Sequence, residues 1–252
     1  MRTDFIVLIA ALGIALGSMP VYALTGRYRT PDPLESSRRG KFILGGFVRS
    51  WFYWFVHPIV AVSLALRLTP TFYNLLGVAL GIAGGVAFAM GHIALGGWGI
   101  LLGGAADALD GRIARAQGVA GPRGAFMDAT LDRFAEFGAF VGLAVWFADT
   151  PLALILVVAA LGGSLITSYA RARGEVEGVL CTAGIMQRAE RLLILGFGGL
   201  LDPSLAPWFG DGTPGNFLIV ALGVVAAGTV GTAVYRTIWI TRRLPTKASD
   251  GE

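Results

Sequence analysis

The stretch LLGGAADALDGRIARAQGVAGPRGAFMDATLDRFAEFG, residues 101–138, decides how the rest of this sequence is interpreted. It carries Asp107 and Asp110 three residues apart, and Asp128 and Asp132 four residues apart. On a helix, either spacing places both carboxylates on one face. The short glycine- and proline-containing loop between the two pairs predicts a helical hairpin. The four acids are therefore expected to converge at one end of two neighbouring antiparallel helices.

Long apolar segments surround this stretch on both sides. Of the 252 residues, 55% are hydrophobic and 14% are charged, whereas soluble domains carry about 25% charged residues. Because a helix crosses a bilayer with about 20 apolar residues, the uncharged segments predict an all-α polytopic membrane protein. It has a six-helix transmembrane core, preceded by an interfacial amphipathic helix at residues 42–66 and one extra N-terminal transmembrane helix. The predicted spans are residues 5–26, 68–106 as a hairpin broken at Gly91 and His92, 125–147, 151–170, 185–201 and 212–235.

The basic residues predict the orientation of these spans. If the interfacial helix lies on the cytoplasmic side, nearly all loop arginines and lysines fall on that side too, which matches the positive-inside rule. We therefore expect a protein integral to the cytoplasmic membrane, with its acids at the cytoplasmic face. For the first span we favour a retained anchor; the alternative is a cleaved secretory signal. The predicted divisions are an anchor with a basic connector at 1–39, a membrane domain at 40–244 and a short polar tail at 245–252.

Composition excludes several kinds of site. The single cysteine, Cys181, rules out an internal disulfide framework and a cysteine-based zinc site. His57 and His92 have no partner at metal-ligand spacing. The net charge of +4, without a dense basic run, predicts no nucleic-acid partner. Metal or catalytic chemistry is therefore expected from Asp and Glu.

Four acids at a membrane edge require compensation. A charge near the bilayer interior costs at least about 2.5 kcal/mol, and Mg²⁺ or Mn²⁺ is the natural counter-charge for clustered carboxylates. Pairing with arginine, such as Asp110 with Arg115, is the alternative. Gly111 and Gly124 leave no side chain beside the acids, so a bulky ligand can approach the backbone. For Glu136, one turn beyond Asp132, two roles stay open: support of the acids from behind, or a structural charge associated with Arg133.

The pattern of residues 107–132, D-x2-D-G-x2-A-R-x8-G-x3-D-x3-D, resembles the signature of the CDP-alcohol phosphotransferases, integral membrane enzymes with a six-helix core. The resemblance implies a centre of two Mg²⁺ or Mn²⁺ ions and a CDP-diacylglycerol-type lipid donor that loses CMP. It assigns the metal ions to Asp107, Asp110, Asp128 and Asp132, and the role of general base to Asp132. It assigns the donor to Thr71, Asn74, Gly111, Ala114, Arg115, Gly121 and Gly124.

Four arginines indicate which alcohol attacks the donor. Arg171 and Arg173 end one span, and Arg188 and Arg191 begin the next, all level with the acids. Guanidinium groups recognise phosphate well, so the preferred acceptor is a phosphorylated alcohol. These segments also resemble those of bacterial phosphatidylinositol phosphate synthases, which implies inositol phosphate. The nearest alternative is glycerol 3-phosphate, the acceptor of phosphatidylglycerophosphate synthases.

Two further alternatives stay open at this point. Acids within a membrane also build cation pathways, so an ion or solute transporter is the competing class of function. The acids at helix ends on the basic side favour the enzyme. The Gly-x3-Gly spacing at Gly81 and Gly85 suits close helix packing, either within the chain or in a homodimer.

Overall fold

Nine α-helices make up most of residues 3–25 and 45–245, the part of the chain that the computed structural model describes, and this part contains no strand. The all-α prediction is confirmed there. Much of the predicted basic connector and of the polar tail lies outside the described residues. In chain order the helices are α1 Thr3–Leu24, α2 Gly45–Phe55, α3 His57–Ala65, α4 Pro70–Ala89, α5 Ile93–Ala116, α6 Pro122–Trp146, α7 Pro151–Val176, α8 Arg188–Leu205 and α9 Asn216–Thr241.

Three of these helices, α4, α7 and α9, are long and apolar enough to cross a membrane. The shortest has 20 residues, and a helix of that length rises about 30 Å, the thickness of the hydrocarbon core. Apolar side chains on all three helices are exposed at the protein surface, among them Leu75, Val158 and Val224. Such a surface suits lipid as its solvent and agrees with the membrane class predicted from composition.

Helix α4 lies between α5 and α6 and packs against both through glycines. A Cβ on Gly84 would lie 3.0 Å from the carbonyl oxygen of Gly96 in α5, and one on Gly142 of α6 would lie 1.8 Å from that of Gly85. The prediction that α5 and α6 pack directly on each other is wrong along most of their length, because α4 fills the space between them. Gly81 and Gly85 both face α6. These two glycines therefore pack within the chain. The alternative that they form a contact between two copies is wrong.

The second half of the bundle joins α7, α8 and α9 to this group. Helix α7 packs on α9, and α8 lies against both α5 and α9. The fully buried Asp202, near the end of α8, fixes the turn into α9. Its carboxylate accepts backbone N–H groups of Gly215 at 2.8 Å and of Phe217 and Leu218 at 3.0 Å. This acid therefore caps the start of α9, where the first amide groups have no partner inside the helix.

The predicted interfacial helix, residues 42–66, is two helices in its described part. α2 ends before Val56 and α3 begins after it. Pro58 lies in the first turn of α3, where its missing N–H costs nothing, and it prevents one continuous helix through this point. Helix α2 also contacts α1: Trp51 Nε1 donates a hydrogen bond to Ser18 Oγ at 2.9 Å.

Several predicted span ends are wrong by a few residues. Helix α7 continues to Val176, six residues past the predicted end, so Arg171 and Arg173 are helical. Helix α8 begins at Arg188 and α9 spans Asn216–Thr241. The prediction ended the spans of α7 and α9 just before their first arginine, Arg171 and Arg236. A helix that reaches the membrane surface can carry charges without ending, because long basic side chains extend to water.

Candidate active site

The two pairs of aspartates meet at one end of the bundle. Asp107 and Asp110 lie towards the C-terminal end of α5, and Asp128 and Asp132 lie in the first half of α6. One carboxylate oxygen from each of Asp107, Asp110 and Asp128 lies within 4.8 Å of the other two. The convergence expected from the helical spacing is therefore present, although α5 and α6 reach it from opposite sides of α4.

The environment of Asp110 indicates that this cluster fits a metal ion. The residue is 4% exposed, and its Oδ2 atom is buried without a hydrogen-bond partner among the described residues. An uncompensated buried charge costs several kcal/mol. Hard oxygen donors at this separation suit a divalent cation of the Mg²⁺ or Mn²⁺ type. Asp107, Asp110 and Asp128 thus fit a metal site by both their chemistry and their unmet need for positive charge.

Arg188 connects the fourth acid to the cluster. Its Nη1 atom lies 2.5 Å from Oδ2 of Asp107, and its Nη2 atom lies 2.8 Å from Oδ1 of Asp132. Gln187 is extended and precedes the helix, so Arg188 is the first residue of α8. One guanidinium therefore ties α5 to α6, and the protein supplies part of the positive charge that the acids require.

A buried ion pair lies behind the site, and sequence reasoning missed it. Arg191 donates from Nε to Glu136 Oε1 at 2.8 Å and from Nη2 to Oε2 at 3.3 Å, and Ser164 donates to the same carboxylate at 2.6 Å. Arg133 is more distant, 4.0 Å from Glu136. The shortest of these contacts of Glu136 are thus with Arg191 and Ser164 rather than with Arg133, the arginine that the sequence offered. The partners are 55 residues apart, so no local pattern could have paired them.

A narrow cleft opens over the acids. Asn74 from α4 lies in its wall, whereas Thr71 is exposed one turn earlier. A second narrow pocket is lined mostly by small and apolar residues, together with Glu136, Arg188 and Arg191. The cleft is lined by Asn74, Gly77, Val78, Asp107, Asp110, Asp132, Ala135 and Arg188.

The other predicted donor residues lie on α5 and at the start of α6, and they are not among the residues that line the cleft. Gly111, Ala114 and Arg115 follow Asp110 along α5 and are half-buried. Gly121 and Gly124 are exposed, and a Cβ on either would meet nothing within 4 Å. The backbone at Gly124, one of the two positions where the sequence predicted close approach of a ligand, is therefore open.

The four predicted acceptor arginines occupy different environments. Arg188 contacts the acids, whereas Arg191 is 2% exposed and engaged by Glu136. Arg171 is half-buried on α7. Arg173 is exposed and pairs with Glu177 one turn further along. Arg188 is thus the member of the set that lies against the acids themselves.

Comparison with known proteins identifies the family. The model of the CDP-alcohol phosphatidyltransferase family matches residues 67–234, more than half of the chain. The chain belongs to this family. The matched range contains the four aspartates and the four arginines, and it confirms the family predicted from residues 107–132. The chain is therefore a transferase of phospholipid biosynthesis, and the transporter alternative has no support.

Named relatives of this phosphatidyltransferase agree on one branch of the family. The phosphatidylinositol phosphate synthase of Streptomyces avermitilis is 34% identical over 227 residues, which cover 87% of this chain and 89% of that protein. The archaetidylinositol phosphate synthase of Methanothermobacter thermautotrophicus is 32% identical over 75% of this chain and 90% of its own length. The predicted likeness to phosphatidylinositol phosphate synthases is confirmed.

Solved structures of the phosphatidylinositol phosphate synthase of Mycobacterium tuberculosis share the fold of this phosphatidyltransferase. A crystal structure with CDP-DAG bound is 30% identical, with a TM-score of 0.64, over 73% of this chain and 92% of that one. A second, in complex with manganese and citrate, is 33% identical, with a TM-score of 0.65, over 77% and 92%. A relative thus binds manganese, and three aspartates of this chain could hold a metal ion.

Proposed function

We propose that this phosphatidyltransferase moves a phosphatidyl group from CDP-diacylglycerol to inositol phosphate and releases CMP. The observation that carries the proposal is the position of Arg188, which brings a phosphate-binding guanidinium into contact with the acid cluster. The names of the relatives supply the alcohol: they are synthases of phosphatidylinositol phosphate and archaetidylinositol phosphate.

Asp107, Asp110 and Asp128 hold the metal ions in this proposal, and Asp132 contributes to the second of two Mg²⁺ or Mn²⁺ ions. Bound there, the ions supply charge stabilisation to the diphosphate of the donor. Gly111, Ala114 and Arg115 contact the CDP group from α5. Gly121 and Gly124 leave room for it, and Thr71 and Asn74 approach it from α4.

Asp132 removes the proton of the attacking hydroxyl. The hydroxyl oxygen forms a bond to the phosphorus of the phosphatidyl group, the bond from that phosphorus to the oxygen of CMP breaks, and the proton goes to the Asp132 carboxylate. A base must lie within hydrogen-bond reach of this proton. Asp132 lines the cleft, where its Oδ1 is held by Arg188, and this contact orients the carboxylate between donor and acceptor.

The acceptor phosphate binds next to Arg188. Arg171 and Arg173 on α7 extend the positive surface outward, and Arg191 holds its geometry from behind through Glu136. Charge-assisted bonds to phosphate from planar guanidinium groups give both affinity and orientation. Glycerol 3-phosphate offers the same anionic group and is the second candidate acceptor.

The proposed membrane arrangement places this site at the cytoplasmic face. Helices α4 to α9 form a six-helix transmembrane core within the domain of residues 40–244, and α1 is an additional anchor within residues 1–39. The residues at 245–252 form a polar tail. The opposite end of the bundle contains the buried Asp202 and the loop to α9, which has no Lys or Arg. A homodimer is an open part of the proposal, to be tested by mass measurement in detergent.

One experiment tests both donor and acceptor. Purified protein receives labelled CDP-diacylglycerol with Mg²⁺ and, in parallel, inositol 1-phosphate, glycerol 3-phosphate, serine or inositol, and the lipid product is identified. We expect phosphatidylinositol phosphate and CMP from the first reaction. Asp132→Asn, folded but without turnover, is the control. A product from glycerol 3-phosphate alone would replace the acceptor, and transfer that survives EDTA would contradict metal dependence.

A further inference from the structure

Four helices of this chain end in the same backbone motif. In each, the residue three past the last helical residue donates its N–H to the carbonyl five residues back, and the residue before it donates to the carbonyl three residues back, as in a Schellman motif. At the end of α3 these bonds are Leu68 N to Ser63 O at 2.9 Å and Arg67 N to Leu64 O at 3.1 Å. Helices α4, α5 and α7 repeat the pair of bonds.

The motif requires one residue with a left-handed backbone, which is usually glycine. In one of the four helices this residue is not glycine. Gly91, Gly118 and Gly178 fill the position after α4, α5 and α7, with φ of 78°, 70° and 79°. After α3 the residue is Arg67, with φ of 54°, and within residues 3–25 and 45–245 it is the sole residue other than glycine with a positive φ. Side chains disfavour this conformation because Cβ crowds the backbone.

Within residues 3–25 and 45–245, no contact of the Arg67 side chain offsets the strain of its backbone. The residue is exposed, and its guanidinium forms no hydrogen bond or ion pair with the residues the structure describes. Membrane orientation does not require the charge at this position either, since a basic residue one place away would have the same effect without a left-handed backbone. Strained residues concentrate at binding sites, where the side chain has a use.

The surroundings of Arg67 indicate the ligand. Leu66 before it is 66% exposed, and Phe72 on the first turn of α4 is 47% exposed, so apolar side chains are exposed on both sides of Arg67 along the chain. Gln117 Nε2 at the end of α5 donates to Leu68 O at 2.8 Å and holds the turn in place. Helix α4, which starts at this turn, contributes Asn74 to the acid cleft. An exposed arginine on a turn held in this way, between exposed apolar residues and at the start of the helix that lines the cleft, matches a lipid phosphate.

We propose that Arg67 is a binding residue for the phosphate of an anionic lipid at the entrance of the cleft. The phosphate belongs either to the CDP-linked donor or to a lipid of the surrounding bilayer, and both present the same anionic oxygen atoms to a guanidinium fork. Naming the donor as one of these two sources rests on the proposed function. The binding role itself rests on the backbone, the exposure and the neighbours of Arg67.

Arg67→Gly tests the binding role without any measurement of turnover. The variant relieves the backbone, so its unfolding midpoint in neutral detergent should rise by about 2 °C. Its affinity for anionic lipid should fall by about tenfold, because a charge-assisted contact is lost. Affinity is obtained from the rise of the midpoint with added lipid, measured separately for CDP-diacylglycerol and phosphatidylglycerol. A stabilised protein that binds lipid less well is the expected combination.

Two variants separate charge from backbone. Arg67→Lys keeps the charge and the strain, and should keep most of the lipid affinity. Gly178→Arg creates the same strained arginine after α7, where a Cβ would meet nothing within 4 Å. It should lower the midpoint by about 2–4 °C and leave lipid affinity unchanged. A Gly178→Arg protein that gains lipid affinity would mean that any arginine in this motif attracts lipid, and would overturn the assignment to Arg67.

The two lipids distinguish the sources of the phosphate. Weaker binding of CDP-diacylglycerol alone assigns Arg67 to the donor, and weaker binding of phosphatidylglycerol assigns it to a bilayer lipid. Unchanged affinity for both lipids, or a lower midpoint for Arg67→Gly, overturns the proposal. If wild-type protein did not bind CDP-diacylglycerol at all, the proposed function would fail, whereas the phosphatidylglycerol measurement would still decide the role of Arg67.

Discussion

Two buried aspartates, Asp110 and Asp202, lie in opposite ends of the same bundle and are treated differently by the protein. Asp202 is fully buried and accepts three backbone N–H groups at the start of α9. Asp110 is nearly as buried, yet its Oδ2 has no hydrogen-bond partner among the described residues, and two more aspartates lie beside it. Burial alone therefore does not distinguish their roles.

The two sites differ in what supplies the hydrogen-bond donors or the compensating positive charge. At Asp202 the backbone of the protein itself completes the site, so the acid serves the fold. At Asp110 the described residues leave Oδ2 of the carboxylate without a hydrogen-bond donor. This acid therefore stabilises the fold less but retains affinity for a cation. Helix α8 takes part in both ends, with Arg188 at its start and Asp202 near its last turn. The contrast predicts that mutations at one end change activity, and those at the other change stability.

The largest expected effect is that of Asp110→Asn on activity. Loss of a carboxylate from the cluster should reduce CMP release on the order of 10³-fold, since metal-derived charge stabilisation is worth several kcal/mol. The same change removes an uncompensated buried charge, so the unfolding midpoint in EDTA should rise. Mn²⁺ titration monitored by electron paramagnetic resonance should show weaker binding. A variant with full activity and unchanged Mn²⁺ affinity would contradict the contrast between the two acids.

Asp202→Asn should have the opposite signature. The amide keeps one acceptor oxygen but directs an NH₂ group towards the backbone donors, so several charge-assisted hydrogen bonds are lost. We expect a loss of about 3 kcal/mol in unfolding free energy, measured by denaturant unfolding in detergent. Activity per folded molecule at low temperature should stay at the wild-type level. A specific loss of turnover in folded Asp202→Asn would show that this end also serves the reaction.

The sequence was sufficient for the acids because their spacing is local. Three- and four-residue separations define a helix face whatever the tertiary structure, and the short loop between the two helices brings both faces to one end of the bundle, so Asp107, Asp110 and Asp128 could be predicted to converge. The apolar lengths predicted the helices for the same reason. Charge-based ends failed at α7 and α9, where the helix continues past its first arginine.

Relations between distant segments were outside the reach of the sequence. Nothing in the local pattern pairs Glu136 with Arg191, or places one guanidinium of Arg188 between Asp107 and Asp132. Likewise, with 37 glycines in the chain, spacing alone could not identify those that let α4 lie between α5 and α6. Such contacts depend on how helices are arranged, which a period of 3.6 residues does not encode.

The close contact between α4 and α6 at their glycines can be tested with Gly142→Ala. A Cβ there would lie 1.8 Å from the carbonyl oxygen of Gly85, so α4 and α6 must separate. We expect a loss of about 2 kcal/mol in unfolding free energy. Gly162→Ala on α7 is the matched control, because a Cβ there meets nothing within 4 Å, and alanine favours a helix by up to about 1 kcal/mol over glycine. Equal effects of the two changes would contradict close packing at Gly142.

The smallest of these effects is expected for Arg188→Lys, which asks how much of the active end depends on one guanidinium. Lysine keeps the charge, but a single ammonium group cannot bond Asp107 and Asp132 in the fork geometry of arginine. We expect the KM for inositol phosphate to rise about tenfold, which corresponds to about 1.4 kcal/mol, with a smaller change in kcat.

Arg173→Lys is the matched control, since that side chain is exposed and pairs with Glu177 outside the acid cluster. An exposed pair of this kind contributes up to about 1 kcal/mol, so its KM for inositol phosphate should change less than that of Arg188→Lys. Larger KM effects at Arg173 than at Arg188 would move the acceptor phosphate outward along α7. Arg188 bridges the two helices that carry the acids, whereas Arg173 contacts Glu177 on its own side of α7. Equal effects of both variants on the KM for the lipid donor would therefore indicate that the positive charge of the surface, and not the bridge made by Arg188, determines binding.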